Sequence, residues 1–376
     1  MDQIYFEDAR PYFDHEIPAA IQRVSENIYF PEIVKKFFPV ENIRTFTEKF
    51  RKITTVKEFQ VKVMHRVIWT IVNQTIDNLS YSGFETVPSD KKGIFISNHR
   101  DILLDSAILQ LLLYKHDIDT SEITFGSNLM MNPFIIDVGK MNKMFKIVRG
   151  GSVREVLINS RNVSDYIRYA ITQKTQSIWI AQRNGRTKNG DDKTEVAVLK
   201  MFAMSSKLPF VENFLEINLM PLAISYEFEP CDFMKVREVY ISRRKHYEKE
   251  SGEDLVSIKN GISQQKGNVS MVVCEPVTHQ ELVECDQLHQ NEKFKKLAEI
   301  IDKRIYKNYK LWKTNYIAFD MLNNSTRFSN NYSHEDKEYF INYMNAGLAN
   351  IEGDINELTT IFLEIYGNPV GNWLKE

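Results

Sequence analysis

The residues with the clearest chemical potential lie in one short stretch, "SNHRDILLDS", from Ser97 to Ser106. His99 stands where a short apolar run, "GIFI", ends, and acids follow at Asp101 and Asp105. A neutral imidazole can take a proton from an attacking hydroxyl, and a carboxylate behind it can hold the ring and stabilise the imidazolium. Spacing alone leaves both aspartates open for that second task. Asp101 also suits the first turn of a helix, where acids are favoured. Asp105 interrupts the apolar "ILLDSAILQLLL", so it must face a site or find a partner.

Two further stretches could hold an anion. In "VRGGS", Gly150 and Gly151 would let the backbone approach a ligand, and Ser152 and Glu155 have capping-box spacing. A helix beginning there offers free N–H groups, and Arg149 beside it could add a bidentate phosphate or carboxylate contact. The loop "QRNGRTKNGDDK" brings Arg183, Asn184, Gly185 and Arg186 directly after the apolar run "SIWIA". Lys188 and Lys193 in the same loop read more simply as solvated cations.

These residues need a scaffold. The chain has 376 residues, 43% hydrophobic and 26% charged, with a net charge of -2. That is ordinary globular composition, and nothing in the totals points to nucleic acid. Cys231, Cys274 and Cys285 match neither zinc nor redox-pair spacing and suggest reduced thiols in a cytoplasmic protein. The acidic N-terminus lacks an apolar signal core, and no run of about 18 apolar residues is present.

Residues 1–85 read as helical. Val56, Phe59, Val63, Val67, Ile71 and their neighbours through Leu79 form one face, with Lys57, Lys62 and Arg66 among them. Such a helix could dock on a lipid surface, but spacing favours packing on the protein core. Residues 86–276 alternate short apolar runs with helix-period segments: "GIFIS", "EITFGS", "MFKIV", "SIWIA", "LMPLAISY" and "VSMVVCEPV". This predicts an α/β fold, a mostly parallel doubly wound sheet flanked by helices, with helical extensions at both ends. Residues of about 230–265 read as a charged insertion. Residues 277–376 read as helical, with a stripe at Phe294, Leu297, Ile301 and Ile305. Asp354 and Glu357 would open a last helix, which Gly367 and Pro369 would stop. In an open α/β sheet, ligands bind beyond the carboxyl ends of the strands. His99, Arg149, Arg183 and Arg186 all follow a strand and should gather at one edge.

Four blocks in order resemble the glycerolipid acyltransferase family, typified by bacterial 1-acyl-glycerol-3-phosphate acyltransferases. They are "NHRDILLD" with His99, "MFKIVRG" with Arg149, "IAQRNGRT", and "LMPLAIS" with Pro221. The resemblance spans roughly residues 85–276. It departs from the family in two places. Five residues rather than four separate His99 from Asp105, and Asn184 stands where a glutamate is usual. The resemblance implies transfer of a fatty acyl group from acyl-carrier protein or acyl-CoA to a hydroxyl of a glycerol-phosphate or lysophospholipid acceptor. His99 would be the general base and Asp105 its orienting acid. Arg149, Arg183 and Arg186, with Asn184 and Gly185, would hold the acceptor. No metal or cofactor is implied beyond the acyl thioester co-substrate. It also implies a peripheral position on the inner face of the cell membrane. Asn184 keeps open a different lipid acceptor, such as an aminoacyl lipid. The same arginines could equally serve a non-catalytic head-group binder, and the His–Asp pair a hydrolase.

Overall fold

The computed structural model describes residues 3–130, 132–148, 150–250 and 252–375. Strands β1 (Asn78–Ser82), β2 (Ile94–Ser97), β3 (Glu122–Gly126), β4 (Met144–Ile147), β5 (Ile178–Ala181), β6 (Leu219–Tyr226) and β7 (Asn268–Val273) form one sheet. Its order is β1-β7-β6-β2-β5-β3-β4. The five strands from β6 to β4 run parallel. β7 is antiparallel to β6, and β1 runs parallel to β7. The mostly parallel sheet is therefore as expected, with a reversed pair at one edge. Apolar periodicity marks strands but carries no direction, so this reversal was not legible.

Each central strand is apolar on both sides, as a sheet covered by helices requires. Ile94, Ile96, Ile178, Ile180, Leu219 and Ala223 face a core shared with helices α3 (Val153–Thr172) and α6 (Gln290–Asn308). Phe95, Trp179, Met220, Leu222 and Ile224 face the opposite core, with α1 (His65–Thr75) and α2 (Leu104–Lys115). The stripe Phe294, Leu297, Ile301 and Ile305 is buried in the first of these cores.

The helical reading of residues 1–85 holds to Thr75 and then fails. Asn78–Ser82 is a strand, so the sheet starts inside the region assigned to helices. The amphipathic stretch from Val56 is helical in three pieces, Val56–Phe59, a π segment Gln60–Met64, and α1. Its apolar residues Ile68, Ile71 and Val72 pack into the sheet core. Phe59 and Val63 pack against the preceding helices. Most of that face is packed on protein, while Val56, Met64 and Ile68 also line a cavity of about 540 Å³ shared with α2, and Lys62 and Arg66 pair with Glu58 and Glu41.

The charged 230–265 segment is two helices, α4 (Asp232–Ser242) and α5 (Glu253–Ser263). α4 packs with α7 (Lys313–Leu322), α8 (His334–Leu348) and α9 (Ile355–Trp373) around Val236, Ile317, Phe340, Phe362 and Tyr366. Asp354 caps α9 by accepting from Glu357 N at 2.9 Å. Gly367 and Pro369 do not stop α9, which continues to Trp373. Burial of Ile365, Tyr366 and Val370 outweighs the lost hydrogen bond. The carbonyl that Pro369 leaves without its helical partner is that of Ile365. It faces Gly190, where an added Cβ would lie 2.2 Å from it. α9 thus packs directly against the loop that carries Arg183 and Arg186.

Candidate active site

His99 follows β2, the strand between β5 and β6, at the carboxyl edge of the parallel strands. Its Nδ1 lies 2.9 Å from Asp105 Oδ2. Trp179, on β5, packs edge-on against the ring with centroids 5.7 Å apart, and its Nε1 donates to Ser97 Oγ at 3.0 Å. Nδ1 is engaged by the carboxylate, which leaves Nε2 for proton transfer. His99 lines a cavity of about 370 Å³.

The two aspartates divide their tasks. Asp105 Oδ2 also accepts from the backbone N–H of Arg100 at 2.6 Å and of Asp101 at 3.0 Å. Its Oδ1 accepts from Tyr226 OH at 2.8 Å. Burial and Asp105 raise the Tyr226 phenol well above its ordinary range, so it stays protonated and donates. Three donors besides the imidazole fix this carboxylate in one orientation. Asp101 instead caps α2: its Oδ1 accepts from Leu103 N at 2.8 Å and Leu104 N at 2.7 Å. The helix therefore begins at Leu104, and Asp101 stands before its first turn rather than in it. The extra residue between His99 and Asp105 is absorbed in the coil before it. Burial, then the nearby Asp105, raises the Asp101 carboxyl above its usual range. α5 closes over this group at Gly261, where a Cβ would lie 2.3 Å from Asp101 Oδ2.

Arg183, Asn184, Gly185 and Arg186 all line the His99 cavity. Gly185 has φ 77°, which an L side chain adopts only under strain. Arg186 is buried; one guanidinium nitrogen donates to Ser257 Oγ at 3.2 Å, and Nη1 has no partner among the described residues. Arg183 Nε is likewise buried without a partner among them. Unpaired buried donors cost stability, so a ligand anion supplied at this point would relieve them. The Asn184 side chain is exposed, and its backbone N–H donates to Glu195 Oε2 at 3.1 Å.

Arg149 lies outside the described residues. The expected capping box after it is present: Ser152 Oγ accepts from Glu155 N, and Glu155 accepts from Ser152 N at 2.7 Å. The chain's own carboxylate thus occupies part of that helix terminus.

Lys188 is not a solvated cation. It lines the cavity, is mostly buried, and pairs with Glu238. Burial first, then Arg186, lowers its ammonium to about 8. Lys193 is exposed and pairs with Asp191 at 2.7 Å. If Lys188 helps hold a phosphate, its contribution is present below pH ~8 and lost above it as the ammonium deprotonates. The KM for a phosphate-bearing acceptor should therefore rise from pH 7 to pH 9, and Lys188→Met should flatten that rise. An unchanged slope in the variant would remove Lys188 from acceptor binding.

The main residue that sequence reasoning missed is Arg100. Its guanidinium is fully buried, paired with Asp192 at 2.5 Å and Glu229 at 3.1 Å. Lys235 Nζ donates to Glu229 Oε1 at 2.5 Å and to the Arg100 carbonyl at 2.8 Å. The Tyr309 ring lies 5.1 Å from the guanidinium carbon. Burial alone would lower the Arg100 pKa, but Asp192 and Glu229 outweigh it and keep the group charged. The network ties the backbone beside His99 to the 182–193 loop, to α4 and, through the Glu229 backbone N–H donating to Tyr366 OH at 3.0 Å, to α9. Its partners stand 92 and 129 residues from Arg100, too far for any local signal.

The Acyltransferase family model matches residues 78–225, from the start of β1 to the end of β6. No curated protein matches the chain. Among solved structures, it is similar to the 1-acyl-sn-glycerophosphate (LPA) acyltransferase PlsC from Thermotoga maritima. The identity is 13% and the TM-score 0.41, over 78% of this chain and 91% of that one. The part of the chain that matches the Acyltransferase family model, residues 78–225, is the part that carries His99, Asp105, Arg183 and Arg186.

Proposed function

We propose that this protein transfers a fatty acyl group from an acyl thioester, acyl-carrier protein or acyl-CoA, to a hydroxyl of a glycerol-phosphate or lysophospholipid acceptor. The observation that carries this reading is the His99–Asp105 pair at 2.9 Å, opening on a cavity lined by Arg183, Arg186 and Lys188. His99 Nε2 takes the proton of the acceptor hydroxyl as its oxygen attacks the thioester carbonyl. Asp105 holds the ring and stabilises the imidazolium. The tetrahedral intermediate collapses with cleavage of the C–S bond. The departing thiolate recovers the proton from His99, giving ester and free thiol. Arg183 and Arg186 bind the acceptor phosphate, their unpaired N–H groups supplying donors in a buried setting where charge-assisted bonds are strong. Arg149, two residues after β4 in the sequence, is assigned to the same phosphate in this reading, with Asn184 and Gly185 shaping the loop. The reaction takes place at the cytoplasmic membrane face, where thioester and lipid meet.

An acceptor panel tests this. The purified chain is incubated with labelled acyl-carrier protein or acyl-CoA thioester and glycerol 3-phosphate, lysophosphatidate, other lysophospholipids or an aminoacyl lipid. Labelled ester is expected with a phosphate-bearing acceptor. Ester only on the aminoacyl lipid would redirect the acceptor, as the exposed Asn184 in place of a glutamate would then explain. Free fatty acid without acceptor-dependent ester would favour hydrolysis.

A further inference from the structure

α3 is 20 residues long, and its buried residues begin only at Asn162. Before that, residues 151–158 are all exposed, although four of them are aliphatic. Val153 is 88% exposed, Val156 45%, Leu157 57% and Ile158 49%. The Ser152–Glu155 capping box holds this end helical without tertiary support. Val153, Val156 and Leu157 share one side at i, i+3, i+4 spacing. Arg154 and Arg161, seven residues apart, border that side. Arg161 is 57% exposed in side chain and reaches Asp165 at only 3.6 Å, while Arg154 has no ion pair among the described residues. The helix starts after β4, so it leaves the sheet at the same carboxyl edge as His99. Three strand spacings separate them, about 14 Å.

We infer that this projecting end of α3 is a membrane-docking element that inserts Val153, Val156 and Leu157 among lipid acyl chains, with Arg154 and Arg161 on anionic head groups. Aliphatic tips bordered by arginines suit a lipid surface bearing negative charge. A second copy of the chain fits less well. The four side chains expose on the order of a few hundred Å², short of the ~800 Å² per partner that a stable dimer buries. The sequence pattern offered the 56–79 helix for this task, but most of its apolar residues pack into the protein core. Docking through α3 turns the His99 cavity edge toward the bilayer. The inference goes beyond the acyl-transfer reading and stands on exposure and charge alone.

The test is sedimentation of the full chain with vesicles of phosphatidylcholine and phosphatidylglycerol in equal parts, without acyl donor. A Val153→Ser/Val156→Ser/Leu157→Ser variant should partition about a hundredfold less, since three buried aliphatic side chains are lost from the lipid. Its thermal unfolding should match the wild type, because none of those side chains is buried in a core. Arg154→Gln/Arg161→Gln should lose the preference for phosphatidylglycerol over pure phosphatidylcholine. Wild-type chain that stays in solution, or a triple variant that sediments like it, would overturn the inference. So would loss of affinity for an acyl-carrier protein with vesicle binding unchanged, which would give the face to a protein partner. Vesicle binding is read without turnover, so failure of the acyl-transfer reading leaves this result standing.

Discussion

Replacing His99 by Ala is expected to lower kcat for acyl transfer by about 10²–10⁴-fold, the usual contribution of a positioned general base. The fold should survive, because Asp105 keeps Arg100 N, Asp101 N and Tyr226 OH as donors. Asp105→Asn should cost activity on the same scale. An amide cannot accept from these donors on both sides and still present an acceptor to the ring N–H. Asp101→Asn is the informative partner experiment. Its Oδ1 could still cap α2 through Leu103 N and Leu104 N, so kcat should stay close to the wild type. Steady-state rates on the best acceptor, alongside thermal unfolding, read all three variants. Equal losses for Asp101→Asn and Asp105→Asn would show that the carboxylates act as a unit. Undiminished turnover in His99→Ala would end the general-base assignment.

The largest stability effect is expected from Arg100→Met. Removing one partner of a buried ion network strands the others, a loss of about 3–5 kcal/mol. Asp192 and Glu229 would be left with Lys235 as their remaining buried cation, and it reaches Glu229. Denaturant unfolding should show a clear fall in midpoint. Adding Asp192→Asn should recover part of it, since one stranded charge is then gone. A midpoint unchanged by Arg100→Met would mean that the network contributes little and that α4 and α9 hold the loop by apolar packing alone. The variant should also lower activity, through the shared backbone. The Arg100 N–H donates to Asp105, and its carbonyl accepts from Lys235.

The gathering of site residues at one edge was readable because it follows from local pattern. His99, Arg183 and Arg186 each stand directly after an apolar run, and a parallel strand delivers whatever follows it to one edge. The four ordered blocks carried the resemblance to acyltransferases, and the apolar alternation carried the α/β class. Asp105 stood out because a carboxylate inside an apolar helix must have a partner.

Sequence by itself thus determined the class of fold and the sheet edge at which His99, Arg183 and Arg186 gather. Tertiary structure decided what periodicity cannot encode. It set the reversed direction of β7 and the strand at Asn78–Ser82, because strand direction and partner are properties of pairing between distant segments. It carried α9 through Gly367 and Pro369, because side-chain burial outweighed local propensity. It assigned Asp105 to His99 and Asp101 to the helix cap, a choice that turns on where α2 starts. And it enclosed Arg100 in a charge network, because buried ions must find partners wherever the chain can supply them, here about a hundred residues away.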